Sequence, residues 1–255
     1  MINIYFAIPT HSGTITVETA ISALDFNKFA LQHNIAVRIV FHSASIISHL
    51  RNTVIADFLA GDFTHLFMLD ADQGIEYSTI FKMIDSGFHV VGALYPRRNF
   101  FWDNFDPSRS DLGIDDLLRQ GYRFVGEILP DKNGSIEVKS GFVRAKSIGT
   151  GSMLIRREVI ELMMVRYPEL KGQGFPEEDE NIPRMSNNWG FFNPLVKSID
   201  GINAGEDIGF CKRWIDCGGE IWADVVSNTV HVGRYKFTGN YLDYMRTMGA
   251  TVDRK

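Results

Sequence analysis

Three groups of residues in this chain have the types and spacing to do chemistry: Asp70-Ala71-Asp72, Glu206-Asp207 and His231. The first ends an apolar run, Leu66-Phe67-Met68-Leu69, which reads as a buried strand stopping at carboxylates. In extended chain, two Asp at i and i+2 project to the same side. Neighbouring negative charges repel unless a cation or several donors compensate. A divalent cation is the simplest compensation, and carboxylates with an imidazole suit a metal that accepts both oxygen and nitrogen. Each feature alone has a plainer reading. Asp is a common turn residue, acids in a first helical turn favour the helix dipole, and a histidine after a strand is often only a core or surface residue.

The surrounding pattern says what must hold these residues. Residues 2–8 read as a strand, 17–32 as an amphipathic helix and 35–42 as a second strand. Ser43 or Ser45 is placed to cap a helix over Ile46, Ile47, Leu50, Val54 and Phe58 that Gly61 ends. The acidic strand, 64–72, follows, then a helix from Ser78 to Asp85 stopped by Gly87, and a fourth strand over 89–95. Strands alternating with helices imply a parallel sheet with ligands at the carboxyl ends of its strands, where Asp70 and Asp72 stand. Arg97–Asp116 reads as a loop over the site carrying Phe100, Phe101, Trp102 and Phe105. Residues 122–148 suggest short antiparallel strands turning at Asn133-Gly134. Met153-Leu154-Ile155 leads into a helix from Glu158, and 170–204 is a long polar loop. A helix from Glu206 is expected to bury Ile208, Cys211, Trp214 and Ile215 and to stop at Gly218-Gly219. A strand over 220–226 then leads toward His231, and the last twenty residues read as a tail docked on the site.

At 255 residues with 45% hydrophobic and 22% charged residues, the chain suits one large α/β domain with an ample core. A net charge of −5 gives no global field for nucleic acid or anionic membrane. Ile2 to Ile8 reads as a strand rather than a signal peptide, and no apolar run is long enough to span a bilayer. A cytoplasmic enzyme is therefore expected. Cys211 and Cys217 have poor spacing for a metal knuckle and are read as reduced thiols.

In this order the residues resemble glycosyltransferases of the GT-A fold, closest to the small standalone bacterial, phage and large-virus members. Asp70-Ala71-Asp72 stands as the DxD motif, Gly205-Glu206-Asp207 heads a helix continuing through Phe210-Cys211-Lys212-Arg213, and His231-Val232-Gly233 follows. Arg51-Asn52, Tyr95-Pro96-Arg97 and Gly149-Thr150-Gly151 support the match, which spans most of 2–237. The resemblance implies an α/β fold of GT-A type, with a mostly parallel, Rossmann-like nucleotide-binding sheet merged with a smaller antiparallel acceptor-side region. It implies one domain over 1–255: a nucleotide-sugar half at 1–100, an acceptor and catalytic half at 101–233, and a tail at 234–255 closing on the site.

The implied activity is metal-dependent transfer of a sugar from a nucleoside-diphosphate donor, expected to be UDP-linked, to a hydroxyl of a glycan or other acceptor. Carried over by position, Asp72 and His231 bind the metal directly, and Asp70 binds it through water or holds the ribose. The ion is expected to be Mn²⁺, or else Mg²⁺. Asp207 matches the base of the inverting members, with Glu206 beside it as support or acceptor ligand. Pro9 and Thr10 take the nucleotide base and ribose, Arg51 and Ala71 lie on the donor side, and Lys236 closes over the diphosphate. His42 and Ser43 end the second strand, where such enzymes often place an acid. One alternative is a sugar-phosphate nucleotidyltransferase, although Pro9-Thr10-His11-Ser12-Gly13 lacks the Arg or Lys that grips a triphosphate. Another is a non-catalytic carbohydrate-binding relic of the fold.

Overall fold

The computed structural model describes residues 2–109, 111–130, 135–175, 186–195, 204–250 and 253–254. The expected turn at Asn133-Gly134 and much of the 170–204 loop lie outside the described residues. Down the chain, strand β1 (Asn3–Thr10) leads to helix α1 (Val17–Gln32), whose N-cap Thr16 accepts a hydrogen bond from the Thr19 amide. Strand β2 (Ala36–Ser43) then leads to helix α2 (Ile47–Leu59). The serine cap expected here does not form: Ile46 is the N-cap and no side chain bonds the first turn. Ser43 is still in the ladder opposite Thr10, and Ser45 falls one residue outside the cap position.

Strand β3 (His65–Leu69) is fully buried and ends before the acids, shorter than the 64–72 expected. The chain then turns into strand β4 (Gln73–Ile75), helix α3 (Tyr77–Asp85), strand β5 (Val90–Ala93) and strand β6 (Tyr95–Pro96). The Arg97–Asp116 segment is not loop throughout, since helix α4 (Ile114–Gln120) starts inside it. Strands β7 (Phe124–Ile128), β8 (Glu137–Val138), β9 (Phe142–Ile148) and β10 (Ser152–Arg156) precede helix α5 (Arg157–Arg166) and helix α6 (Glu206–Asp216). Strands β11 (Ile221–Asp224), β12 (Thr229–Val232) and β13 (Lys236–Gly239), helix α7 (Tyr241–Thr247) and strand β14 (Asp253–Arg254) complete the chain.

A nine-stranded sheet runs in the order β2-β1-β3-β10-β5-β11-β9-β7-β6. Ladders β1–β2, β1–β3 and β5–β11 are parallel, and β10 is antiparallel to both β3 and β5. Thus β2, β1, β3, β5 and β11 share one direction, the Rossmann-like part of the α/β fold, and β10 is inserted against it. The antiparallel ladders β11–β9, β9–β7 and β7–β6 form the other region, and β13-β12-β4 makes a small separate sheet. Helices cover both faces, over Phe6, Phe26 and Phe67 on one side and Tyr5, Phe58 and Phe210 on the other. Each such fully buried aromatic contributes about 1.5–3 kcal/mol from burial. Among the described residues no helix is long and apolar enough to cross a membrane.

Two helices present different faces from those expected. In α6 the buried residues are Gly209, Phe210, Cys211, Arg213 and Trp214, while Ile208 and Ile215 are exposed. Phe210 stacks on Phe192 with ring centroids 4.6 Å apart, and the Arg213 guanidinium donates to the carbonyls of Phe191 and Asn193. The segment beneath α6 therefore sets its rotation. Helix α1 is not amphipathic: it buries Thr19, Ser22, Ala23, Phe26 and Ala30 while exposing Val17, Ile21, Leu24 and Leu31.

Candidate functional site

The Asp70-Ala71-Asp72 segment is a turn held on every side by backbone. The Gln73 amide donates to the Asp70 carbonyl at 3.1 Å, closing a four-residue turn between β3 and β4. The Asp70 amide donates to Gly151 O, Thr16 donates to Ala71 O, and Val232 donates to Asp72 O at 2.8 Å. Because the strand has ended, the two carboxylates do not share a side as extended chain would require. They go to different partners.

Asp70 faces Arg51 of α2, which donates to its two oxygens at 3.1 and 3.3 Å. The same guanidinium donates to Glu206 at the start of α6, a residue 155 positions away. Arg51 is buried, which opposes its charge, but Asp70 and Glu206 outweigh that cost and hold its pKa above the usual range. One buried cation therefore ties the acidic turn to the helix that carries the second acidic pair. The adjacent Asn52 works in the opposite direction, donating to Gly174 O and Asn193 Oδ1 and accepting from the Phe192 amide.

Asp72 is about as exposed as Asp70 but has different partners. Arg98 donates to its Oδ2 at 2.6 Å, and His231 Nε2 lies 3.5 Å from its Oδ1. Burial alone would raise the Asp72 pKa, yet the His231 hydrogen bond and charge, with Arg98, hold it below the ordinary carboxylate value. His231 sits on β12 directly opposite Gln73, and its Nδ1 donates to Pro96 O at 2.8 Å. That bond fixes the ring and turns Nε2 toward Asp72. Tyr95 meets the imidazole edge-on, with centroids 5.3 Å apart. Gly149 and Gly151 let Tyr95 in: a Cβ at Gly151 would lie 2.8 Å from the Tyr95 ring, and the Gly151 amide donates to its hydroxyl.

Asp207 lies beside Glu206 in the first turn of α6, and its Oδ1 accepts from the Ile208 amide at 2.7 Å. A helix N-terminus favours the ionised form, but burial first, and Glu206 second, win and push the Asp207 pKa upward. Pro9 and Thr10 are buried at the end of β1, where Thr10 Oγ1 donates to Thr14 O. His42 is buried against the Tyr5 hydroxyl at 2.9 Å. Lys236 is exposed on β13 and its ammonium pairs with Glu18 of α1. Phe100 packs on Trp102 and Tyr122.

The structure thus brings Arg51, Asp70 and Glu206 together, and separately Asp72 and His231. Among the described residues no three His, Cys, Asp or Glu side chains converge as a ready-made metal cluster. Arg98, which also meets Asp72, is not singled out by local sequence, since nothing local marks which arginine in a run will meet an acid. Also buried at the turn without a hydrogen-bond partner among the described residues are the Gln73 amide, Thr150 Oγ1, Ser152 Oγ and Arg51 Nε. A buried polar atom left so costs about 1–3 kcal/mol.

No family model and no curated protein sequence matches the chain. Among solved structures, A197 from STIV is similar at 15% identity over 94% of this chain and 95% of its own, with a TM-score of 0.45. UDP-glucose pyrophosphorylase complexed with UDP-glucose matches at 9% identity over 98% of both chains, with a TM-score of 0.42. The 4-diphosphocytidyl-2C-methyl-D-erythritol synthase of Anaerococcus prevotii DSM 20548 matches at 10% identity, over 84% of this chain and 96% of its own, with a TM-score of 0.32.

Proposed function

We propose that this chain is a metal-dependent glycosyltransferase that moves a sugar from a UDP-sugar to an acceptor hydroxyl with inversion. The observation that carries the reading is the pairing of Asp72 with His231, whose ring is pre-set by its bond to Pro96 O. A histidine whose other nitrogen is fixed by a carbonyl is the usual arrangement of a metal-ligating imidazole. The donor set fits Mn²⁺, or Mg²⁺: one carboxylate and one imidazole leave positions for diphosphate oxygens and water. Asp72 and His231 would hold the ion directly, with Asp70 in the outer sphere on Arg51. When bound, the ion would neutralise charge on the departing diphosphate.

The remaining work falls to side chains. The acceptor oxygen forms its bond to the anomeric carbon as the bond to the diphosphate breaks, the electron pair leaving with the diphosphate. Asp207 takes the acceptor proton. Its raised pKa supports that role, because a base whose conjugate acid is less acidic than an ordinary carboxyl binds the proton better. Glu206, paired with Arg51, holds the head of α6 in place. Arg98 and Lys236, exposed arms that pair with Asp72 and Glu18, would meet the diphosphate and exclude water.

Calorimetric titration tests the reading. UDP should bind the parent only with Mn²⁺ present, and Asp72→Ala or His231→Ala should abolish that binding while the far-UV circular dichroism is unchanged. Unchanged metal-assisted UDP affinity in both variants overturns the metal assignment. Release of pyrophosphate from UTP and a sugar 1-phosphate would establish the nucleotidyltransferase alternative instead.

A further inference from the structure

Helix α1 carries its bulky aliphatic side chains away from the core. Its inner face is mostly small, and that lets it lie against β4: Thr19 Oγ1 donates to Gln73 O at 2.8 Å and the Ile75 amide donates to Ser22 Oγ at 2.9 Å. On the outer face Val17, Ile21, Leu24 and Leu31 are 69, 52, 66 and 74% exposed. With Lys28 they repeat at intervals of four, three, four and three, the alternation of a coiled-coil seam with one polar position. The helix has 16 residues, so the seam is about 24 Å long. A helix apolar on both faces is ordinarily covered on both.

We infer that the α1 seam is a homodimer contact, packed antiparallel against α1 of a second copy about a two-fold axis. The charges on the face select this occupant. Asp25 and Lys28 are its charged residues, both exposed, and no ion pair within the chain involves either among the described residues. Antiparallel pairing with Leu24 against Lys28 of the other copy sets Ile21 against Leu31 and brings each Lys28 beside the opposing Asp25. One cation and one anion then satisfy each other twice, as an isologous interface requires. Parallel pairing would instead set Lys28 against Lys28. A single helix pair buries less than the roughly 1,200 Å² of a stable standard interface, so dissociation in the micromolar range is expected.

Sedimentation equilibrium of the full chain from about 1 to 100 µM tests this, with circular dichroism as the control for folding. The parent should pass from monomer to dimer across that range. Leu24→Asp, at an exposed position, should leave a folded monomer throughout. Asp25→Lys and Lys28→Asp should each weaken the dimer about tenfold, and the two together should restore it to within about threefold. A parent monomeric at the highest concentration, a dimer indifferent to Leu24→Asp, or a double exchange no better than the single ones each overturns the inference.

Discussion

Asp70 and Asp72 stand two residues apart on one turn and have opposite fates. Asp70 belongs to a closed, inner half of the site, where buried Arg51 is saturated by Asp70 and Glu206. Asp72 belongs to an open, outer half, where its partners are an exposed arginine and a histidine 3.5 Å away. The inner half is a fastener in which one buried cation is shared by two carboxylates of the protein itself. The outer half has charge whose partner, Arg98, can leave for solvent at little cost. Under the proposed function both would be used: one carboxylate for rigidity, the other left free to exchange partners.

The comparison can be broken most forcefully from the inside. Arg51→Met leaves Asp70 and Glu206 partly buried without their cation, and removing one partner of a buried ion pair costs about 3–5 kcal/mol. Urea denaturation should show that loss, whereas Asp72→Asn should shift the midpoint far less. Equal losses in the two variants would erase the distinction between the halves.

Asp207→Asn sharpens the comparison, because this residue adjoins the inner half yet is proposed to act on the acceptor. Metal-assisted UDP binding should persist while transfer falls by about 10²–10⁴-fold, the range for loss of a general base. Stability should move the other way. A carboxyl whose folded pKa is raised contributes relative stability below its unfolded pKa, and loses it as pH rises through the folded value. The Asn variant should therefore melt higher than the parent at neutral pH, the advantage closing as pH falls toward about 4. An activity near that of the parent removes Asp207 as the base, and a melting difference independent of pH removes the electrostatic account of it.

The smallest effect is expected at the rim. Lys236→Ala deletes an exposed pair with Glu18, so the melting temperature should stay within about 2 °C of the parent. Donor affinity should drop a few-fold if the ammonium reaches the diphosphate. An unchanged UDP affinity would confine Lys236 to holding β13 against α1.

Much of the scaffold was legible in the residues themselves. The run Leu66 to Leu69 announced a buried strand ending at acids, α1 and α3 fell within a residue or so of their expected ends, and Gly87 and Gly218 closed the helices before them. These are matters of local period and backbone freedom, and local sequence determines them. The acidic pairs stood out by type, but their type did not say which partners they would take. What tertiary structure alone decided is which charge meets which. Strand β10 slips between β3 and β5 because ladder order depends on the whole sheet, not on the five residues of one strand. Arg51 finds Asp70 across 19 residues and Glu206 across 155, and His231 is oriented by a carbonyl 135 positions away. Helix α6 turns Phe210 inward, rather than Ile208, because Phe192 waits beneath it. Pair energies fall with distance in space, and sequence separation does not measure that distance.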